Sequence, residues 1–472
     1  MKALLITWTS RIRDSYWFMP SLMAISAILL SFVTTSLDSH FGSEWLEDIG
    51  WLYANEPAGA RAVLSTVAGS MITVAGVTFS MTILSISYTT SQVGPRLLNN
   101  FMRDTGNQIT LGVFISTFLY CLMVLRTVRN AESAPPGGGA NLELASAFVP
   151  HIAVIVGLLL AIASVGVLIF FIHHIPESIH ISNIVAGIGR DLNKQITDRF
   201  PARVGEPHPE PSERQMESNL PATFYDSARA IHAKTSGYVE FVDTTGMLQI
   251  ATDNDLTIRM RFRAGDFITP GDVLMLASPK TRVNDELVER MIATFVSGSQ
   301  RTAHQNLRFV FNQLVEVAMR ALSPGVNDPF TAINCLDWLQ SALQNMAERE
   351  FPDAYRYDDD HHLRIVAEPE TFEDFASLVF DQLRPYVAAD RNAAVHMMEM
   401  IAKVALSASS QSHRRLLVRH GGALRRECKN VLNDRRGFLL LSDRYRSMVW
   451  LLRDPQYRRQ VLDTGNWVGG RA

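Results

Sequence analysis

The sequence predicts an α-helical membrane domain with four transmembrane helices, followed by a cytoplasmic α+β region made of a small β module and then an all-helical domain. Three observations carry this. Of the 44 Lys+Arg and 47 Asp+Glu residues in the 472-residue chain, only eight and nine respectively precede residue 176. Four long apolar runs fill that same stretch. Behind it the hydrophobic spacing changes first to alternation and then to helical repeats.

The apolar runs cover Trp17 to Leu37, Val63 to Tyr88, Ile109 to Leu125 and Phe148 to Ile172. Each approaches the ~20 residues that a helix needs to cross a ~30 Å hydrocarbon core. Helices suit this role because they satisfy their own backbone hydrogen bonds, which lipid cannot do. Lys2, Arg11 and Arg13 precede the first run, as in a signal peptide. Its apolar stretch is too long and no A-x-A site follows, so it reads as a retained anchor. Those three residues, with Arg96 and Arg103 between runs two and three, face an acidic Asp38–Arg61 loop holding Glu44, Glu47, Asp48 and Glu56. Lys and Arg favour the inner side, which places the N-terminus in the cytoplasm and that loop outside. Four crossings bring the chain back inside, so residues 1–175 form the membrane domain and both termini are cytoplasmic. Arg126 and Arg129 dissent at the outer end of run three, where they can snorkel. The next loop, Asn130 to Asn141, contains Pro135-Pro136-Gly137-Gly138-Gly139, a flexible connection.

The second run carries a polar pattern. At ~100° per residue, Ser65, Gly69, Thr73, Gly76, Ser80, Ser87 and Ser91 fall within an arc of about 80°, with Ile83 the one bulky interruption. Two readings stay open. Small and hydroxyl side chains let another helix approach closely, or symmetry-related copies of the stripe line an uncharged conduit. No charged residue falls in the middle of any run, which argues against a proton relay or a carboxylate cation site. Where the fourth run ends, His173, Glu177 and His180 share a helical face and have the chemistry of a weak transition-metal site. Pro176 interrupts them, and polar residues also emerge at the headgroup level for other reasons. Asp358-Asp359-Asp360-His361-His362 reads as a charged loop. The cysteines, Cys121, Cys335 and Cys428, lie far apart and support neither a disulfide framework nor a thiolate zinc site.

Residues 176–221 read as an amphipathic exit to about residue 200, then a Pro-rich linker holding Pro201, Pro207, Pro209, Pro211 and Pro221. Residues 222–280 read as the β module. Gly237 to Asp243 and Leu256 to Arg263 alternate as strands, the second with Arg259, Arg261 and Arg263 on one side. Gly246 reads as a turn, and Gly265 to Leu274 as turns bounded by glycine and Pro270. From residue 281 to 472 the spacing is helical. Leu287, Met291 and Phe295 form one stripe, and Leu307, Val310, Phe311, Leu314 and Ala318 another. Further helices are expected at 329–349, 371–387, 391–410, 411–433 and 437–453.

The densest motif runs from Arg320 to Ala332, R-A-L-S-P-G-V-N-D-P-F-T-A. As local structure it stops one helix before Pro324, turns at Gly325, and starts the next with Asp328 as N-cap and Pro329 in the first turn. Arg301, Arg320, Ser323, Asn327 and Asp328 are also a candidate functional cluster.

Two resemblances follow from these residues. The Gly265-Asp266-Phe267 to Leu274 pattern is similar to the turn of the biotinyl and lipoyl β-sandwich family. The stretch Ala251 to Asp255 holds no lysine, so the likeness implies an adapter or oligomerisation element instead of a carrier. The motif, Arg301-Thr302, the G-Y-V strand, the Gly265 turn and the four-run front together resemble a bacterial family of predicted integral membrane proteins, domain of unknown function 2254. The likeness spans roughly residues 10 to 450. It implies a multi-pass protein of the inner (plasma) membrane and brings no activity, substrate or catalytic residues.

No GxxxxGK[ST], GxGxxG after a strand, HExxH or GxSxG motif occurs, and neither Ser323 nor His304 has an evident catalytic partner. An enzyme therefore ranks third, and no cofactor is expected. A net charge of −3 argues against nucleic-acid binding. The expected function is a passive channel-like or pore-forming homo-oligomer with a cytoplasmic gating or sensing domain. The alternative is a non-conducting scaffold that docks a cytosolic protein through its helical domain.

Overall fold

The computed structural model describes residues 15–41, 57–94, 104–129, 148–200, 220–221, 223–303 and 305–464. Outside them lie Lys2, Arg11, Arg13, the acidic residues Glu44 to Glu56, Arg96, Arg103, the Pro135–Gly139 loop, most of the Pro-rich linker and His304. The chain divides into two compact units at His180/Ile181.

The N-terminal unit contains α1 (Phe18–Phe41), α2 (Pro57–Val93), α3 (Thr105–Leu125) and α4 (His151–Ile179). All four are long and apolar enough to cross a membrane. Helix α3 packs on α1, α2 and α4, and α4 also packs on α1 and α2. The third apolar run is the shortest and its helix the most buried, because its contacts with the other three are the most extensive in the bundle. Leu64, Ala68, Tyr120, Cys121, Val124 and Ala153 form part of the shared core. Small residues permit this closeness, since a Cβ on Gly157 would meet Leu64 at 3.3 Å and Tyr120 at 3.6 Å.

The C-terminal unit begins with α5 (Ile181–Arg199), after an extended His180 that separates it from α4. Its apolar stripe of Ile184, Val185, Ile188, Leu192 and Ile196 is buried, and the helix packs on α9 (Leu307–Ala321) and α10 (Pro329–Ala347). The segment read as an amphipathic exit is thus built into the helical core of this unit. At Gly189 the approach is so close that an added Cβ would lie 2.3 Å from the Trp338 ring.

Next come α6 (Phe224–Ser227), β1 (Arg229–His232), β2 (Gly237–Val242), α7 (Thr244–Asp253), β3 (Thr257–Met260), β4 (Phe267–Ile268) and β5 (Val273–Ser278). After α8 (Asp285–Ile292) the chain forms β6 (Phe295–Gly298), and after α10 it adds β7 (Tyr355–Tyr357) and β8 (Leu363–Val366). One sheet has the order β1-β5-β3-β8-β7 and the other β4-β2-β6. All neighbours are antiparallel except β3 and β8. Ile231, Val239, Met247, Ile258, Leu274 and Ile365 share one core. Helices α11 (Phe372–Val387), α12 (Arg391–Ser407), α13 (Gln411–Val431), α14 (Arg435–Arg453) and α15 (Pro455–Thr464) complete the unit.

Three expectations are corrected here. The region after residue 280 is not all-helical: β6, β7 and β8 interrupt it, and Phe295 starts a strand instead of closing the α8 stripe. Strands of three or four residues are too short to show a period, and β8 is specified by a partner more than a hundred residues away, Ile258 opposite Ile365. The turn at Gly246 lies instead inside α7. Asp243 caps that helix through its side chain, accepting from the Gly246 amide at 2.9 Å, and Met247, Ile250 and Ala251 face inward. A helix between β2 and β3 is also incompatible with the hairpin of a biotinyl or lipoyl sandwich, so that likeness is confined to the Gly265–Leu274 turn.

Candidate functional site

In α2 the polar stripe and the packing face are different faces. Leu64, Ala68, Met71, Ala75, Thr82 and Ile86 are buried against the other helices, whereas Ser65, Gly69, Thr73, Gly76, Ser80, Ser87 and Ser91 are all exposed. At ~100° per residue the two arcs are centred about 140° apart. Nothing lies within 4 Å of a Cβ built on Gly69 or Gly76. Val77, Met81, Leu84 and Tyr88 border the stripe on one side, Ile72 and Phe79 on the other, all exposed. The hydroxyls of Thr73, Ser80 and Ser91 donate to the carbonyls of Gly69, Gly76 and Tyr88 at 2.8, 2.9 and 2.6 Å. Such back-bonding removes the cost of an unsatisfied donor in an apolar setting. The stripe therefore packs on no other described helix of its own chain.

Polar groups inside the bundle are structural, and sequence reasoning passed over them. The Asp38 carboxylate, buried near the end of α1, accepts from the Ile152 and Ala153 amides at 2.8 and 3.0 Å. It caps α4, whose own N-cap position is Pro150 and supplies no side-chain acceptor. One turn earlier on α1, Thr34 meets the Tyr120 hydroxyl at 3.0 Å, and that hydroxyl donates to the Ala153 carbonyl at 3.0 Å. Three helices are joined in this knot. Deeper in the bundle, Thr117 and Ser164 pair at 3.2 Å. At the opposite end of α3 and α4, Asp104 caps α3 through the Gly106 amide and meets His174 Nε2 at 3.0 Å. His174 also stacks on Phe170, with ring centroids 5.0 Å apart. The contacts between helices join residues 33 to 115 apart in the chain, which hides them from local spacing.

Of the weak metal candidates, exposed His173 and Glu177 sit 3.5 Å apart, while His180 occupies the extended break after α4. Helix α4 continues through Pro176. Among the described residues no group of three or more His, Cys, Asp or Glu side chains is arranged to hold a metal. In the 358–362 run Asp358 turns inward to Arg364 at 2.6 Å.

The Arg320–Ala332 motif folds as its local chemistry dictates. Ser323 donates to the Arg320 carbonyl at 2.6 Å, closing α9. Asn327 is left-handed, at φ 50°, a conformation that Asn tolerates better than most residues. Asp328 caps α10, accepting from the Thr331 amide at 3.2 Å and its hydroxyl at 2.6 Å, with Pro329 in the first turn. Val326 is 42% and Phe330 78% exposed. Arg301 is engaged elsewhere: it donates to the Gly265 carbonyl at 3.1 Å and covers the Tyr238 ring at 4.9 Å. The proposed cluster therefore divides into a helix–turn–helix connection and a separate arginine on the β2–β4 edge.

The matched family model, "Predicted membrane protein (DUF2254)", spans residues 13–403, both the spanning helices and the motif. This chain belongs to the DUF2254 family. The DUF2254 chain is similar to uncharacterized proteins of Mycobacterium bovis and Mycobacterium tuberculosis, each 30% identical over 367 residues, covering 77% of this chain and 67% of the relative. No solved structure matches it significantly. The DUF2254 protein is thus a membrane protein with four apolar spanning helices and a mostly helical, strand-containing second unit.

Proposed function

We propose that this protein is the subunit of a passive channel-like homo-oligomer in the bacterial inner membrane, with both termini cytoplasmic and the C-terminal unit gating or sensing. One observation carries the reading. The seven small or hydroxyl residues of α2 face away from the rest of their own bundle, between flanks of bulky apolar side chains. Lipid rewards Leu, Ile, Val and Phe at such positions, so a face free of bulk at every position but Ile83 suits a neighbouring copy or a water-filled path.

The test uses Thr73→Cys and Ser80→Cys in reconstituted full-length protein. Wild type is a quiet background, because all three native cysteines are buried. Burial also pushes the Cys428 thiol up to about 11 and raises that of Cys335. The expected results are labelling of both introduced thiols by small membrane-impermeant reagents, and an ionic current that the reagent blocks. Inert thiols and a silent bilayer from correctly folded protein would overturn the channel. The non-conducting scaffold is the second reading, favoured by Val326 and Phe330 standing exposed on the motif turn. A cytosolic protein captured by wild type and lost with Phe330→Ser would support it.

A further inference from the structure

The β module and the helices beside it enclose a cleft of about 580 Å³, lined by Arg199, Arg261, Arg263 and Arg356. This lies within the ~300–1,000 Å³ range of small-molecule sites. The arginines come from four places: the end of α5, two alternate positions after β3, and β7. The opposing acids, Asp266 and Glu368, are fewer. Asp266 is committed to its own turn, where its carboxylate accepts from the Arg263 amide at 2.9 Å. Arg356 donates to the Asp353 and Tyr355 carbonyls, which fix its direction without neutralising its charge, whereas Arg199 donates to the Ala303 carbonyl at 3.2 Å and also feels Glu370 and Asp191. Among the described residues no salt bridge joins Arg261 or Arg263 to a carboxylate. Glu370 lies near enough to feel Arg263, Arg308 and Arg199, but burial pushes its carboxyl up. Met260, Phe262 and Val242 give the cleft an apolar wall.

Arg261, Arg263 and Arg356 lining one concavity favour an anion between them, and their planar forks match phosphate oxygens bidentately. We propose that this cleft binds a phosphate-bearing small molecule with at least two negative charges and an apolar or aromatic body. The alternating basic face of Arg259, Arg261 and Arg263 then has a division of labour. Arg261 and Arg263 serve the cleft, while Arg259 covers the Tyr225 ring at 5.6 Å. The proposal stands whether or not the membrane unit conducts.

Titration calorimetry on the detergent-solubilised full-length protein tests it, with ATP, inorganic pyrophosphate and dioctanoyl phosphatidic acid as probes in chloride buffer of constant ionic strength. At least one probe should bind, at least tenfold more weakly to Arg261→Gln/Arg263→Gln and unchanged to Arg259→Gln. Binding by ATP or pyrophosphate points to a free phosphate compound, and binding by phosphatidic acid alone to a lipid headgroup. Should the double variant fold poorly, Arg356→Gln provides the same readout. Absence of binding by all three probes, or equal binding by wild type and the cleft variants, overturns the proposal. Equal loss in Arg259→Gln overturns it too, since general surface charge would then explain the effect.

Discussion

Replacing Asp38 by Ala should destabilise the four-helix unit more than any change on its lipid-facing surface. The carboxylate accepts two amide hydrogen bonds from the first turn of α4, at 2.8 and 3.0 Å, in a site where Asp38 is only 8% exposed. Leaving a buried donor unpaired costs about 1–3 kcal/mol, and a negative charge at a helix N-terminus adds about 0.3–2 kcal/mol. Allowing for relaxation, Asp38→Ala is expected to cost about 3 kcal/mol. Asp38→Asn keeps an acceptor and loses the charge, so about 1 kcal/mol is expected. Reversible unfolding in mixed detergent micelles, followed by tryptophan fluorescence, gives both values. Because Tyr120 donates to the carbonyl of Ala153, whose amide Asp38 accepts, a double-mutant cycle with Tyr120→Phe should show coupling of about 0.5 kcal/mol or more. A cost for Asp38→Ala within about 0.5 kcal/mol, as for surface substitutions, would refute the argument, and so would strict additivity with Tyr120→Phe.

Other perturbations probe the C-terminal unit. Gly189→Ala should lower the thermal midpoint, because the new Cβ would fall 2.3 Å from the Trp338 ring and overpacking costs about 1–3 kcal/mol. Gly187→Ala in the same helix meets nothing within 4 Å and should raise it, by up to about 1 kcal/mol of helix propensity. Asp328→Ala should cost about 1 kcal/mol through the lost α10 cap, whereas Asn327→Gly should be close to neutral, since Gly accepts the left-handed backbone freely. A loss of every membrane phenotype in an Asp328→Ala protein of near-normal stability would show that the turn does more than connect helices. Arg364 first, and then Arg282, hold the Asp255 carboxyl down to about 2. A carboxyl whose pKa falls on folding stabilises the native state above its unfolded value of ~4, and that contribution is lost as the pH drops through the folded one. Acid unfolding should therefore steepen between about pH 4 and 2, and Asp255→Asn should flatten that window, since Asn tolerates the left-handed φ of 47° at this position.

Local chemistry was readable in the sequence because its causes are local. The four spans follow from uninterrupted apolar length, and the Ser323–Thr331 turn from the order Pro, Gly, Asn, Asp and Pro, each residue suited to the backbone position it fills. The β2 strand and the helices from α9 to α14 follow from periodicity that needs no partner to be seen. By itself the sequence also determined that α2 carries one face free of bulk except at Ile83. Which way that face looks was decided only by tertiary structure, because both faces of α2 hold small residues, Ala68 and Ala75 on one, Gly69 and Gly76 on the other. Packing by α3 and α4 selected between them. The same holds for β8, too short to be specified without β3, for Asp38, whose task is set by a helix more than a hundred residues away, and for the arginine cleft. The four arginines that line it lie up to 157 residues apart along the chain, between Arg199 and Arg356. A shared lining of this kind is a property of folding in three dimensions, which no local spacing records.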